Sequence, residues 1–163
     1  MSTKPRLLIA FALMGTGLLA QSQDAAQSSA PRVVGVWRAV ESVDESGPVE
    51  TTRRTHQPAI YIFTERHYSI QSINGADPRP DVPQGLSEVE RKLAIYEHWA
   101  RFTAHSGTYE IRGSEMTTTP IVAKNNRVMT PLGVEHWRIR ADGGALWLTN
   151  IGPKYRVKLV RLE

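Results

Sequence analysis

The chain has no cysteine among its 163 residues, so disulfides, thiol nucleophiles and thiolate metal sites are excluded from its chemistry. An oxidising compartment is permitted but not exploited, and stability has to come from a packed core. Aromatic residues make up only 7% of the chain, so each one placed inside matters. There is no G-x-S-x-G segment and no phosphate-cradling glycine loop, which removes the commonest hydrolase and nucleotide chemistries. A strong net charge is also missing. The formal +4 falls to about +2 when Lys4 and Arg6 are set aside, too little to imply a nucleic-acid partner. The charge is uneven: residues 21–123 carry 10 Lys and Arg against 13 Asp and Glu, and residues 124–163 carry 8 against 3.

Long apolar runs are absent after residue 20. The one run, LLIAFALMGTGLLA at residues 7–20, follows Lys4 and Arg6 and precedes the polar stretch QSQDAAQSSA. It is short against the roughly 20 residues of a membrane span, and the order positive, apolar, polar is that of a secretory signal peptide. Residues 1–20 are therefore expected to direct export, to the periplasm or out of the cell, with cleavage after Ala20 or after Ala25 or Ala26. No cysteine follows the run, which excludes a lipid-anchored form. Residues 21–31 read as a flexible leader and residues 32–163 as one domain.

From Arg32 onward most segments are short, rich in Val, Ile, Tyr, Thr and Trp, and bounded by turn residues, the pattern of an all-β fold. A two-residue Gly113-Ser114 turn pairs Ile111 with Met116 and Tyr109 with Thr118. The inner face then holds His105, Tyr109, Ile111, Met116 and Val122. An Asp142-Gly143 turn pairs Ile139 with Leu146, Trp137 with Leu148 and Arg138 with Trp147, with Trp137, Ile139, Leu146 and Leu148 inside. The last strand places Tyr155, Val157, Leu159 and Arg161 on the same side. For residues 59–73 two registers remain open, one grouping Tyr61, Phe63, Tyr68 and Ile70, the other Ile60, Ile62, Tyr68 and Ile70; a one-residue slip exchanges the faces.

Residues 74–85, NGADPRPDVPQG, contain three prolines and cannot form a central strand. Ser87 and Glu90 then form a capping box, and Val89, Leu93, Tyr96 and Ala100 recur at helical spacing. This predicts one helix over about residues 88–101. Ile95, Trp99 and Phe102 widen its apolar side, so it should pack on the sheet or cover an opening, and the proline-rich loop could close a mouth. Roughly eight antiparallel strands bury one another best in a closed barrel, which leaves no edges; an open sandwich is the fallback.

Three segments carry a resemblance. Gly35-Val36-Trp37, with Arg38-Ala39-Val40 after it, resembles the first-strand G-x-W of lipocalins. IFTERHYSIQ at residues 62–71 and HSGTYEI at residues 105–111 resemble two strand segments of small secreted bacterial proteins with a lipocalin-like domain. The order of these motifs covers residues 32–163, with His67 standing where that group commonly has a turn glycine. The resemblance implies an eight-stranded barrel closed at the G-x-W end, with a cavity toward the other end. It also implies that Gly35, Trp37 and Arg161 form the closure, with the tryptophan beneath an arginine of the last strand. It implies no reaction, since a fold does not dictate function.

These readings give three function classes. The first is extracytoplasmic binding of a small hydrophobic or amphipathic molecule, in a cavity lined by His105, Tyr109, Ile111, Met116, Trp137, Ile139, Leu148 and Tyr155. The second is an isomerase, cyclase or hydratase using His105 and Tyr109 as acid and base; a structural histidine bonded to neighbouring backbone is the alternative reading of His105. The third is an envelope interaction protein using the outer residues Arg138, Arg140, Arg156 and Lys158, with His136 and Trp147, on an anionic membrane surface; a solvated wall with Arg138 stacked on Trp147 is the alternative. Glu41 and Glu135 share the parity of Trp37 and Trp137, so each is expected inside, at a solvated mouth or against a base. The five histidines, His56, His67, His98, His105 and His136, lack metal-ligand spacing, and neither a metal nor a cofactor is expected.

Overall fold

The computed structural model describes residues 32–54, 57–75, 77–79 and 81–163. The expected signal peptide and leader, and His56, lie outside the described residues. The strands are β1 (Gly35–Asp44), β2 (Thr51–Arg53), β3 (Ala59–Phe63), β4 (His67–Ile73), β5 (Phe102–Arg112), β6 (Glu115–Ala123), β7 (Glu135–Asp142), β8 (Ala145–Asn150) and β9 (Tyr155–Arg161), with α1 (Glu88–Ala100) between β4 and β5. Each strand from β3 to β9 pairs antiparallel with the next, β1 pairs β3, and β9 returns to pair β1. The sheet is thereby closed into an antiparallel barrel of eight strands. The short β2 is not a ninth stave: it pairs Ser42–Asp44 of β1, while β3 pairs Gly35–Arg38, so the two lie end to end along one side of β1.

Closure buries a single core. Trp37, Phe63, Met116, Ile139, Leu146, Leu148, Val157 and Leu159 form one cluster inside the barrel. The open register resolves to Phe63 opposite Tyr68 and Tyr61 opposite Ile70, with Glu65 and Arg66 as the two-residue turn. The 113–114 hairpin has the expected pairs, Tyr109 with Thr118 and Ile111 with Met116.

Three register expectations fail, each for a local reason. The β7–β8 turn is Gly143-Gly144, at φ +54 and +87, because both central positions of such a turn need positive φ and two glycines supply it. Ile139 therefore pairs Leu148, Trp137 pairs Asn150, and Arg140 rather than Arg138 pairs Trp147; a shift of two leaves every face unchanged. A bulge in β6 opposite Gly107 puts Val122 outside, paired with Ser106 and 59% exposed. A Cβ at Gly107 would lie 2.0 Å from the Thr119 carbonyl oxygen, so only glycine admits this approach. A second bulge, at Val40, moves Glu41 outside, opposite Lys158 and 3.7 Å from Arg54. Ser42 and Asp44 take the inner parity instead.

The helix starts as expected, with Ser87 and Glu90 bonded reciprocally. It does not bury its apolar side: none of its residues is buried, and Val89, Leu93, Tyr96 and Trp99 stand in solvent. It is tethered by polar contacts instead. Arg101 donates to the carbonyls of Asn74 and Asp77, Arg79 donates to that of His98, and Lys124 donates to those of Trp99 and Phe102. The described part of the proline-rich segment is thus pinned to the helix C-terminus, and its first residues, Asn74 and Gly75, reach the barrel opening.

Candidate functional site: the open end of the barrel

The two ends of the barrel differ in chemistry. At one end Trp37 is 3% exposed, its indole N–H donates to the Val33 carbonyl at 2.7 Å, and the Arg161 guanidinium lies 4.3 Å from the ring centre. Trp37 and Arg161 are also register partners across β1 and β9. Gly35, at φ +147, lets the guanidinium pass: a Cβ there would meet Arg161 Nη1 at 2.2 Å. Tyr109 belongs to this end. Its ring packs edge-on to Phe63, and its hydroxyl donates to the Thr64 carbonyl at 2.5 Å.

At the other end the inward positions turn polar. Ser42, Tyr61 and Tyr155, with Ala39, Ala59 and Ser72, surround a cavity of about 250 Å³. Deeper on the same interior, His105 Nδ1 lies 3.0 Å from the Tyr68 hydroxyl. The Glu135 carboxylate, opposite Thr118 across β6 and β7, is close enough to raise the cost of ionising both Tyr61 and Tyr68. Burial is the larger cause for both phenols, and it pushes Tyr68 up to about 12. The same burial pushes Tyr155 and Glu135 up and holds His105 down.

On the inner faces of β6 and β7, Thr118 is 1% exposed, and neither its hydroxyl nor the Trp137 indole N–H makes a full hydrogen bond. Thr118 lies near enough to Tyr68, and Trp137 to Glu135, to ease ionisation of each.

The residues expected to line a ligand cavity divide accordingly. Tyr155 lines the mouth cavity, and His105 sits on the interior behind it. Met116, Trp137, Ile139 and Leu148 are packed core. Tyr109 and Ile111 lie at the closed end, beside a surface cleft with Val33 and Glu65. His105 and Tyr109 are not brought together. Four residues of strand separate them, about 13 Å at roughly 3.3 Å per residue, and each hydroxyl or imidazole is engaged elsewhere. The phenol that His105 meets is Tyr68, which stood in both groupings of residues 59–73. Among the described residues, no three His, Asp or Glu side chains gather where a metal could be held.

The outer basic face is largely compensated. Arg156 is 3.2 Å from Glu45 and 3.4 Å from Glu50, Arg140 is 3.7 Å from Asp142, and the His136 ring bonds the Thr117 hydroxyl. Trp147 lies between Arg140 and Lys158, at 5.9 and 5.6 Å, and not under Arg138. The two-residue register shift at Gly143-Gly144 accounts for the change of partner.

The interior cluster makes stability depend on pH with a defined sign. His105 is held below its ordinary 6.5 by burial. The unfolded chain then binds a proton that the folded chain resists, so this contribution is present above pH 6.5 and lost as pH falls below it. Glu135, raised above 4.5, acts oppositely: its contribution is complete below pH 4.5 and lost as pH rises through the raised value. His105→Asn should flatten the fall in urea midpoint between about pH 7 and pH 5, and Glu135→Gln should raise the midpoint at neutral pH. An H105N slope identical to that of the unaltered chain would show that His105 is not the group responsible.

Fold and site together define a small antiparallel barrel of eight strands, closed at one end beneath Trp37 and Arg161 and polar at the other. Two solved structures are similar to it. One is a lipocalin-like protein from Bacteroides uniformis, at 12% identity and TM-score 0.46, covering 79% of this chain and 97% of that one. The other is an uncharacterized protein from Bacteroides eggerthii, at 11% identity and TM-score 0.46, covering 78% of this chain and 98% of that one. No protein-family model matches the chain, and no curated protein matches it.

Proposed function

We propose that this barrel binds a small amphipathic molecule through its open end, outside the cytoplasm. The observation that carries the reading is the cavity at the open end, surrounded by Ser42, Tyr61 and Tyr155 with Ala39 and Ala59. A ligand carbonyl or hydroxyl entering there would meet those hydroxyls while its apolar part lies against the alanines. The solid core below limits how deep it goes, so the ligand is small or only partly enclosed. Export is supported by Lys4, Arg6 and the apolar run at residues 7–20, and fractionation of cells making the full chain tests it.

The binding reading is tested by thermal shift and native mass spectrometry against fatty acids, isoprenoids and phenolics. A ligand present at a hundred times its Kd should stabilise the fold by about 2.7 kcal/mol, with a one-to-one complex in the mass spectrum. A panel with no shift and no complex would remove the reading.

A further inference from the structure

A second cavity lies away from the mouth. It is a groove of about 660 Å³ on the outer wall, between the strands that flank a break in the barrel. The break has a cause in the register. β3 pairs β1 only as far as Arg38, β2 begins at Ser42, and the bulge at Val40 falls between them. Among the described residues, Ala39–Glu41 therefore pair with no strand on that side. Val40, Pro58, Ile60, Ile73 and Phe102 give the gap an apolar strip, beside the polar side chains of Gln57, Gln71 and Ser72.

The groove carries charge of one sign. Arg38 and Arg54 line it, and no carboxylate does. Arg54 is held near Glu41, while Arg38 has neither an ion pair nor a hydrogen bond among the described residues. An unpaired guanidinium beside an apolar trough fits one ligand chemistry: an anionic head with a single apolar chain. The volume falls within the roughly 300–1,000 Å³ of small-molecule sites. Ala39, Ala59, Ser72 and Ile73 line both this groove and the mouth cavity, so a chain laid in the groove points toward the barrel opening.

We infer that the wall break between β1 and β3 is a binding site for a single-chain amphiphile with an anionic head, held by Arg38, with its chain along Ile60, Ile73 and Phe102. The groove stands as a site whether or not the mouth itself takes a neutral ligand. A carboxylate and a phosphate monoester share this chemistry, and Arg presents its planar fork to either.

The test is isothermal titration calorimetry with dodecanoate, dodecyl phosphate and dodecanol, each below its aggregation limit. At least one anion should bind roughly tenfold or more tighter than the alcohol, and the tighter of the two names the head group. Arg38→Gln should erase that preference with an unchanged unfolding midpoint, Arg38→Lys should restore most of it, and Arg138→Gln on the far wall should leave it intact. Equal affinity for alcohol and anions, or an R38Q chain that binds the anions as well as the unaltered one, would overturn the inference. So would an equal loss in R138Q. Anion binding through Arg38 with no neutral ligand bound anywhere would keep the groove and remove the mouth reading instead.

Discussion

Replacing Trp37 by alanine is expected to lower the free energy of unfolding by about 3–5 kcal/mol, the range for large aromatic truncations in cores. The indole is almost wholly buried, its N–H is bonded to the Val33 carbonyl, and its face carries the Arg161 guanidinium. Truncation removes all three interactions and opens a void at the end where β1 and β9 meet. Domains of this kind hold only about 5–15 kcal/mol in total, so the variant should unfold well below the temperature of the unaltered chain. Trp37→Phe keeps the ring and loses the hydrogen bond, and should cost a smaller amount, about 1 kcal/mol. Both are read by urea unfolding followed by circular dichroism. A W37A chain of normal stability that has lost ligand binding would mean that the pocket extends to the closed end.

Leu148→Ala should cost about 2–5 kcal/mol. Leu148 is 1% exposed, on the inner face of β8 opposite Ile139 and Val157. If it lined a ligand cavity, truncation would cost little stability and would change ligand size preference. As core, it should show the reverse: a large fall in the urea midpoint and an unaltered preference among ligands that the mouth binds. The two outcomes separate a filled lower barrel from an empty one.

Most of the barrel was legible from alternation alone. The inner parities of β5, β6, β7, β8 and β9 follow from period-two patterning, and a register error of two residues at Gly143-Gly144 could not disturb them. What alternation could not show was the bulges. One extra residue at Val40 sends Glu41 outward and Ser42 inward, and nothing in VWRAVESV marks that position. The same holds for Val122, although Gly107 on the facing strand was a usable signal, since glycine inside a strand often marks a close approach or a bulge.

The site was legible only in part. His105 and Tyr155 face the barrel interior, as their parity required, but parity does not say at which level of a barrel a residue sits. Tyr109, on the same face as His105, lies at the opposite end. Tyr61 needed the register of the 59–73 hairpin, which two groupings fitted equally, whereas Tyr68 stood in both. The groove was invisible in the sequence because it arises where pairing stops, and the end of pairing between β1 and β3 depends on the bulge.

The central claim is that ligands enter at the polar end. Backbone amide shifts in ¹H–¹⁵N spectra, followed through titration with an uncharged isoprenoid or phenolic that binds in the thermal-shift screen, test it most directly. Saturable changes at Ser42, Tyr61, Ser72 and Tyr155, with Trp37 and Leu148 unmoved, are the predicted result. Saturable changes centred on the closed end, or on the outer face of β7 and β8, would contradict it.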